Sequence, residues 1–141
     1  MRSSFAPLAL ITMLAACASS GTSSSSRVGS SPVDVTRYGR LLAMADARRV
    51  DTVLIDEILR AGSRPERAAA ALAIGQVHGT VLAPVLRTLL TDADTAVASR
   101  AAYALGLLAD TAGLAALAQA VSGPPSVARN AAWALGQIGE P

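Results

Sequence analysis

The chain has 141 residues, 12 basic and 10 acidic side chains, a formal net charge of +2 and 52% hydrophobic residues. That length holds one domain of ordinary size. Every basic residue is Arg, and apart from Arg48-Arg49 they stand singly, so there is no basic stripe to track phosphates, which argues against a nucleic-acid partner. The one cysteine excludes a disulfide framework.

The first segment is "MRSSFAPLALITMLAAC": one Arg, an apolar run from Phe5, then small residues before Cys17. The run is about a dozen residues long, short of the roughly 20 that span a bilayer as a helix. It reads as the apolar region of a secretory signal peptide over residues 1–16. Leu14-Ala15-Ala16-Cys17 resembles the bacterial lipobox, which places a thiol nucleophile for acylation behind small residues that fit the processing peptidase. Lipidation is therefore expected at Cys17, and two acyl chains there suffice for stable anchoring. Ala18 stands after the cysteine where Asp would favour inner-membrane retention, so the expected location is the bacterial cell envelope, on the periplasmic side of the outer membrane. Residues 17–33 then form a Ser/Gly tether with almost nothing to bury. Its flexible reach is about 20 Å.

The domain over 34–141 begins with "DVTRYGRLLAMADARR", read as one helix with Leu41, Leu42 and Ala45 on its apolar side. It is expected to form an N-terminal cap or half-repeat. Beyond it the sequence repeats. Glu66-"RAAAALAIGQVH", Val97-"ASRAAYALGLLA" and Val127-"ARNAAWALGQIG" align without gaps, placing glycines at Gly75, Gly106 and Gly136, 31 and 30 residues apart. The intervening stretches 52–59, 83–90 and 114–121 set Ile55/Leu59, Leu86/Leu90 and Leu117/Val121 one helical turn apart. Each unit is thus two helices, A then B. Ser63-Arg-Pro-Glu66 has capping-box spacing with Pro in the first turn, and Asp94 and Pro124-Pro125 hold the aligned positions in the next two units. His78-Gly79 and Ala109-Asp110 mark turns between units.

On helix B, Val97, Ala101, Leu105 and Leu108 form a buried stripe. Glycine inside a helix costs about 1 kcal/mol relative to Ala. Its recurrence at one register predicts close backbone packing that offsets the cost. No unit buries its apolar face alone, so stacking supplies the stability.

The pattern V-x-x-x-A-A-x-A-L-G-x-I, with Pro84 opening the preceding helix, resembles the HEAT-like repeat of the phycobilisome-lyase type over residues 50–141. Of the Arg that usually comes after the valine, only Arg67 is retained, Ala98 and Ala128 standing in its place. The resemblance implies an all-α fold: a right-handed α-solenoid of about three two-helix HEAT-like repeats behind an N-terminal capping helix. It also implies a protein-binding role, with helix B lining the concave side.

Catalytic chemistry finds no foothold in these residues. His78 is the only histidine and sits at a helix C-terminus, where the dipole favours a cation. No paired carboxylates, metal ligands or triad stand at working spacing, and the lyase resemblance brings no catalytic residue that can be placed here. No enzyme activity, cofactor, metal or small-molecule substrate is expected. Off the buried stripe, Ala69/Leu72/Gln76, Arg100/Tyr103/Leu107 and Asn130/Trp133/Gln137 are expected to stack into a ridge. Leu72, Arg100, Tyr103, Leu107, Asn130, Trp133 and Gln137 are the expected partner-binding residues, because aromatic rings beside Arg are what binding hot spots favour. The leading expectation is a lipid-anchored envelope scaffold that binds partner proteins. The rival is the N-terminal arm of a longer envelope enzyme, such as a peptidyl-prolyl isomerase. Gly139-Glu140-Pro141 aligns with the threshold of a next A helix, and Leu135 and Ile138 are expected to face solvent there.

Overall fold

A computed structural model describes residues 32–139. The signal segment, Cys17, nearly all of the tether, Glu140 and Pro141 lie outside the described residues. The helices are α1 (Val35–Asp46), α2 (Thr52–Ala61), α3 (Arg64–Gln76), α4 (Ala83–Leu89), α5 (Thr95–Leu107), α6 (Leu114–Ala120) and α7 (Pro125–Gly139). Short 3-10 turns at Thr80–Leu82 and Thr111–Gly113 lead into α4 and α6. Thus α2, α4 and α6 are the A helices and α3, α5 and α7 the B helices of three repeats.

Local chemistry sets the boundaries. Asp34, Asp51 and Asp94 are N-caps whose carboxylates accept from the first backbone N–H groups of α1, α2 and α5, satisfying donors the helix leaves open. Ser63 and Glu66 form the capping box of α3, with Pro65 in its first turn. The C-termini share a different device. Arg48, His78 and Ala109 adopt left-handed backbone, with φ of 48°, 54° and 49°. Behind each, the next N–H reaches back to a helical carbonyl: Arg49 to Met44 (3.3 Å), Gly79 to Ile74 (2.9 Å) and Asp110 to Leu105 (3.1 Å). This is the Schellman closure, here built without glycine at the left-handed position.

Arg48, His78 and Ala109 are spaced 30 and 31 residues apart, the repeat period. The first helix therefore ends as α3 and α5 do. It is a B helix, the second half of a repeat, and it packs on α3, though less closely than α3 packs on α5. In this register Leu42 falls in line with Leu72, Tyr103 and Trp133, and Ala45 with Gly75, Gly106 and Gly136. The expected apolar side of α1 is accordingly corrected: Leu41 and Met44 enter the core, Ala45 is half-buried, and Leu42 is 54% exposed.

The core keeps to the stripes read from sequence. Ile55, Leu86 and Leu117 from the A helices and Val97, Ala101 and Leu105 from α5 are fully enclosed, and Leu108 at the end of that stripe is half-buried. Successive B helices pack directly on one another, whereas successive A helices meet chiefly their own B partners. The glycines explain how. A Cβ on Gly75 would stand 2.8 Å from the Cα of Ala104, and one on Gly106 would stand 2.8 Å from the Cα of Ala134. Only hydrogen fits. Stacking is tighter along the B side than along the A side, as in an array whose B helices line the inner face. At the last repeat Leu135 and Ile138 are half-buried against the core rather than facing solvent, because α6 covers that side of α7. Ala132 and Gly136 are exposed instead.

Candidate functional site: the inner-face ridge

Leu42, Leu72, Tyr103 and Trp133 recur at one register on α1, α3, α5 and α7, one rung per helix. Leu42 and Trp133, at the two ends, expose 54% and 36% of their surface. Leu72 and Tyr103 are half-buried between them. The rings of Tyr103 and Trp133 stack, with centroids 4.6 Å apart and planes 26° from parallel. Gly106 makes room for this: a Cβ there would meet the indole Cζ3 at 2.6 Å.

The other expected residues divide by what they touch. Arg100 is exposed on α5, one turn before Tyr103. Gln137 is exposed on α7. Leu107 turns back towards α3, its Cδ1 3.2 Å from the position a Gly75 Cβ would take. Asn130 is engaged as a clip: its amide donates to the Ser99 carbonyl (3.0 Å) and hydroxyl (2.8 Å), while that hydroxyl donates to the Ser126 carbonyl (3.1 Å). Ala69, Leu72, Gln76 and Arg100 converge instead on a groove of about 390 Å³ between α1, α3 and the start of α5. The groove lies beside Ala45, which stands at the register position of the later glycines, where α1 packs less closely on α3.

Ion pairs hold the rungs in place. Arg37 on α1 donates from Nε to Glu66 at 2.9 Å, and Arg67 on α3 reaches Asp92 before α5 at 3.2 Å. The two arginines share one register, so α1 and α3 each grip an acid of the next unit, whereas α5 carries Ala98 at that position and meets α7 through Ser99 and Asn130. Alignment of the three glycine-bearing stretches reaches Arg67 but not Arg37, because α1 carries no glycine at the register position. The spacing of 30 residues between Arg37 and Arg67 is the signal that could have found it. Glu66 is fully buried. Burial pushes its carboxyl up, but hydrogen bonds from Arg37, the Ser63 hydroxyl and the Ser63 N–H outweigh that and hold it at about 2. The Arg37 guanidinium is correspondingly raised by its hydrogen bond to Glu66.

Among the described residues, no group of three or more His, Cys, Asp or Glu side chains could hold a metal ion, and no helix is long and apolar enough to cross a membrane. The fold and its face define an α-solenoid of stacked helical hairpins with a side-chain ridge along its inner surface. The profile of the family described as HEAT repeats matches residues 52–136, and the chain belongs to that family. No curated protein matches it. HEAT repeats typically serve as non-catalytic scaffolds for protein interaction.

Proposed function

We propose that this chain is a lipid-anchored scaffold of the bacterial envelope that captures a partner protein on the inner face of its solenoid. The observation that carries this reading is the ridge itself. Two large apolar side chains, Leu42 and Trp133, are left partly in water on the same register and the same face as Leu72 and Tyr103. Covering such side chains contributes about 25 cal/mol per Å² of apolar surface, and aromatic rings are favoured anchors when a partner settles on them.

Anchoring rests on the sequence of the N-terminal segment. Acyl chains on Cys17 hold the domain to the outer membrane, and the Ser/Gly tether lets it sample the space about 20 Å from the lipid. Cross-linked pull-down from envelope fractions tests both parts. The native chain is expected in the membrane fraction with a discrete cross-linked partner, and Cys17→Ser is expected to release it to the soluble fraction. Trp133→Ala with Tyr103→Ala is expected to remove the partner while the chain stays membrane-bound. Retention of the partner by that double variant would overturn the inner-face reading.

A further inference from the structure

We infer that the groove between α1 and α3 receives an aliphatic side chain from an acidic peptide segment of the partner, whose carboxylate meets Arg100. This rests on the reading of the inner face as a partner surface and specifies the partner's chemistry. The groove, about 390 Å³, has apolar walls from Leu42 and Ala45 on one side and Leu72 on the other. Leu42 is 54% exposed although it sits beside a core that takes Leu41 and Met44. Its side chain lies at the groove rim instead of the interior, where a ligand would cover it.

Charge selects the partner. Arg100 is the one charged residue lining the groove, and no acid lines it. Among the described residues Arg37, Arg40, Arg60, Arg64, Arg67 and Arg87 are each within salt-bridge distance of a carboxylate; Arg100, like Arg48, Arg49 and Arg129, is in no such pair, and of these four it alone lines the groove. A cation at the mouth of an apolar cleft attracts a carboxylate more strongly once the cleft is filled, because water is displaced from around the pair. Gln76 and Tyr38 add an amide and a phenol at the same groove for the peptide backbone. A nucleic acid would require several such cations, and the groove offers one. Past Arg100 the ridge continues to Tyr103 and Trp133, so an extended segment has a path beyond the groove.

The test is selection of a displayed library of random dodecapeptides on the immobilised full chain, with fluorescence polarisation of the enriched peptides. Enriched clones are expected to carry Leu, Ile or Met near Asp or Glu. Arg100→Glu is expected to weaken them about tenfold, as is changing the peptide acid to Lys, and combining the two changes is expected to restore binding. Leu42→Glu, at an exposed position, is expected to abolish binding without unfolding the domain. Enrichment without an acidic aliphatic motif overturns the inference. So do peptides indifferent to Arg100→Glu and Leu42→Glu but lost in Trp133→Ala, although that result leaves the inner-face reading standing. Peptides indifferent to all three variants overturn both. Palmitate binding that is lost in Leu42→Glu, with no peptide enriched, replaces the peptide by a lipid chain and likewise overturns the proposal.

Discussion

The indole of Trp133 lies on the ring of Tyr103, centroids 4.6 Å apart, with its Cζ3 directly over Gly106. This places one aromatic rung on the next and makes a helix-interior glycine the seat of a tryptophan. Trp133 remains 36% exposed, so the pair is neither core nor free surface. Removing either ring is expected to cost about 0.5–1.5 kcal/mol for the ring–ring contact, plus the burial of the lost atoms. Thermal melts of Tyr103→Ala and Trp133→Ala check this. A double-mutant cycle is expected to show coupling of the same size, since the rings touch.

The register glycines are expected to respond to alanine with opposite signs. At Gly106 a methyl group meets the Cα of Ala134 at 2.8 Å, and at Gly75 that of Ala104 at the same distance. Backbone cannot step aside cheaply, so each substitution is expected to destabilise by about 1–3 kcal/mol. At Gly136 nothing lies within 4 Å of the added methyl. There Gly136→Ala is expected to stabilise by up to about 1 kcal/mol through helix propensity alone. Urea titrations of the three variants decide it, and a loss of stability at Gly136 would contradict the packing account.

Acid is expected to loosen α1 first. Glu66 is ionised down to about 2 in the folded chain, against an ordinary value of 4.5. Its folded value is the lower one, so its contribution is fully present above the unfolded value and is lost as pH falls from about 5 towards 2. A difference of this size corresponds to ~3 kcal/mol. Glu66→Gln is expected to lower stability at pH 7 and to flatten its decline between pH 5 and 2. Arg37→Met is expected to leave an uncompensated buried carboxylate and to destabilise at least as much. Denaturant midpoints measured across that pH range check both.

The left-handed residues at the repeat junctions offer stabilising changes. Ala109 holds φ at 49° and Arg48 at 48°, a region that costs L-residues about 1–2 kcal/mol. Ala109→Gly relieves that cost at an exposed position, offset in part by the greater freedom of glycine in the unfolded chain. A net gain of about 0.5–1 kcal/mol is expected, read as a rise of a few degrees in Tm. A fall in Tm would show that the Schellman closure is not what holds Ala109 there.

Much of the fold is legible because its signals are local. Ser63, Glu66, Asp94 and Pro125 announce helix starts through their own side chains, and the glycine register announces the period. The kinship of α1 with the B helices is less legible: Ala45 stands where later units have glycine, and Leu42 where they have Leu, Tyr and Trp. Besides the 30-residue spacing of Arg37 and Arg67, its ending at Arg48, shared with His78 and Ala109, reveals the kinship, and that ending is a backbone conformation that Arg, His and Ala do not advertise. The expected binding residues are legible as a register. Their availability is decided by neighbours on other helices, since Asn130 turns to Ser99 and Leu107 turns to Gly75 while Leu72 and Arg100 line the groove.

By itself the sequence determined that this protein is a stack of helical pairs, because period, caps and small-residue stripes act within one helix or between neighbours in the chain. It also carries the lipobox-like tetrad and the Ser/Gly tether, patterns that need no fold to be read. Tertiary structure alone decided that Arg37 and Glu66 meet across 29 residues, that Trp133 rests over Gly106, and that a groove opens beside Ala45. Those outcomes depend on how closely one helix approaches another. At Gly75 and Gly106 only hydrogen fits between neighbouring backbones, a constraint that appears only once both are in place.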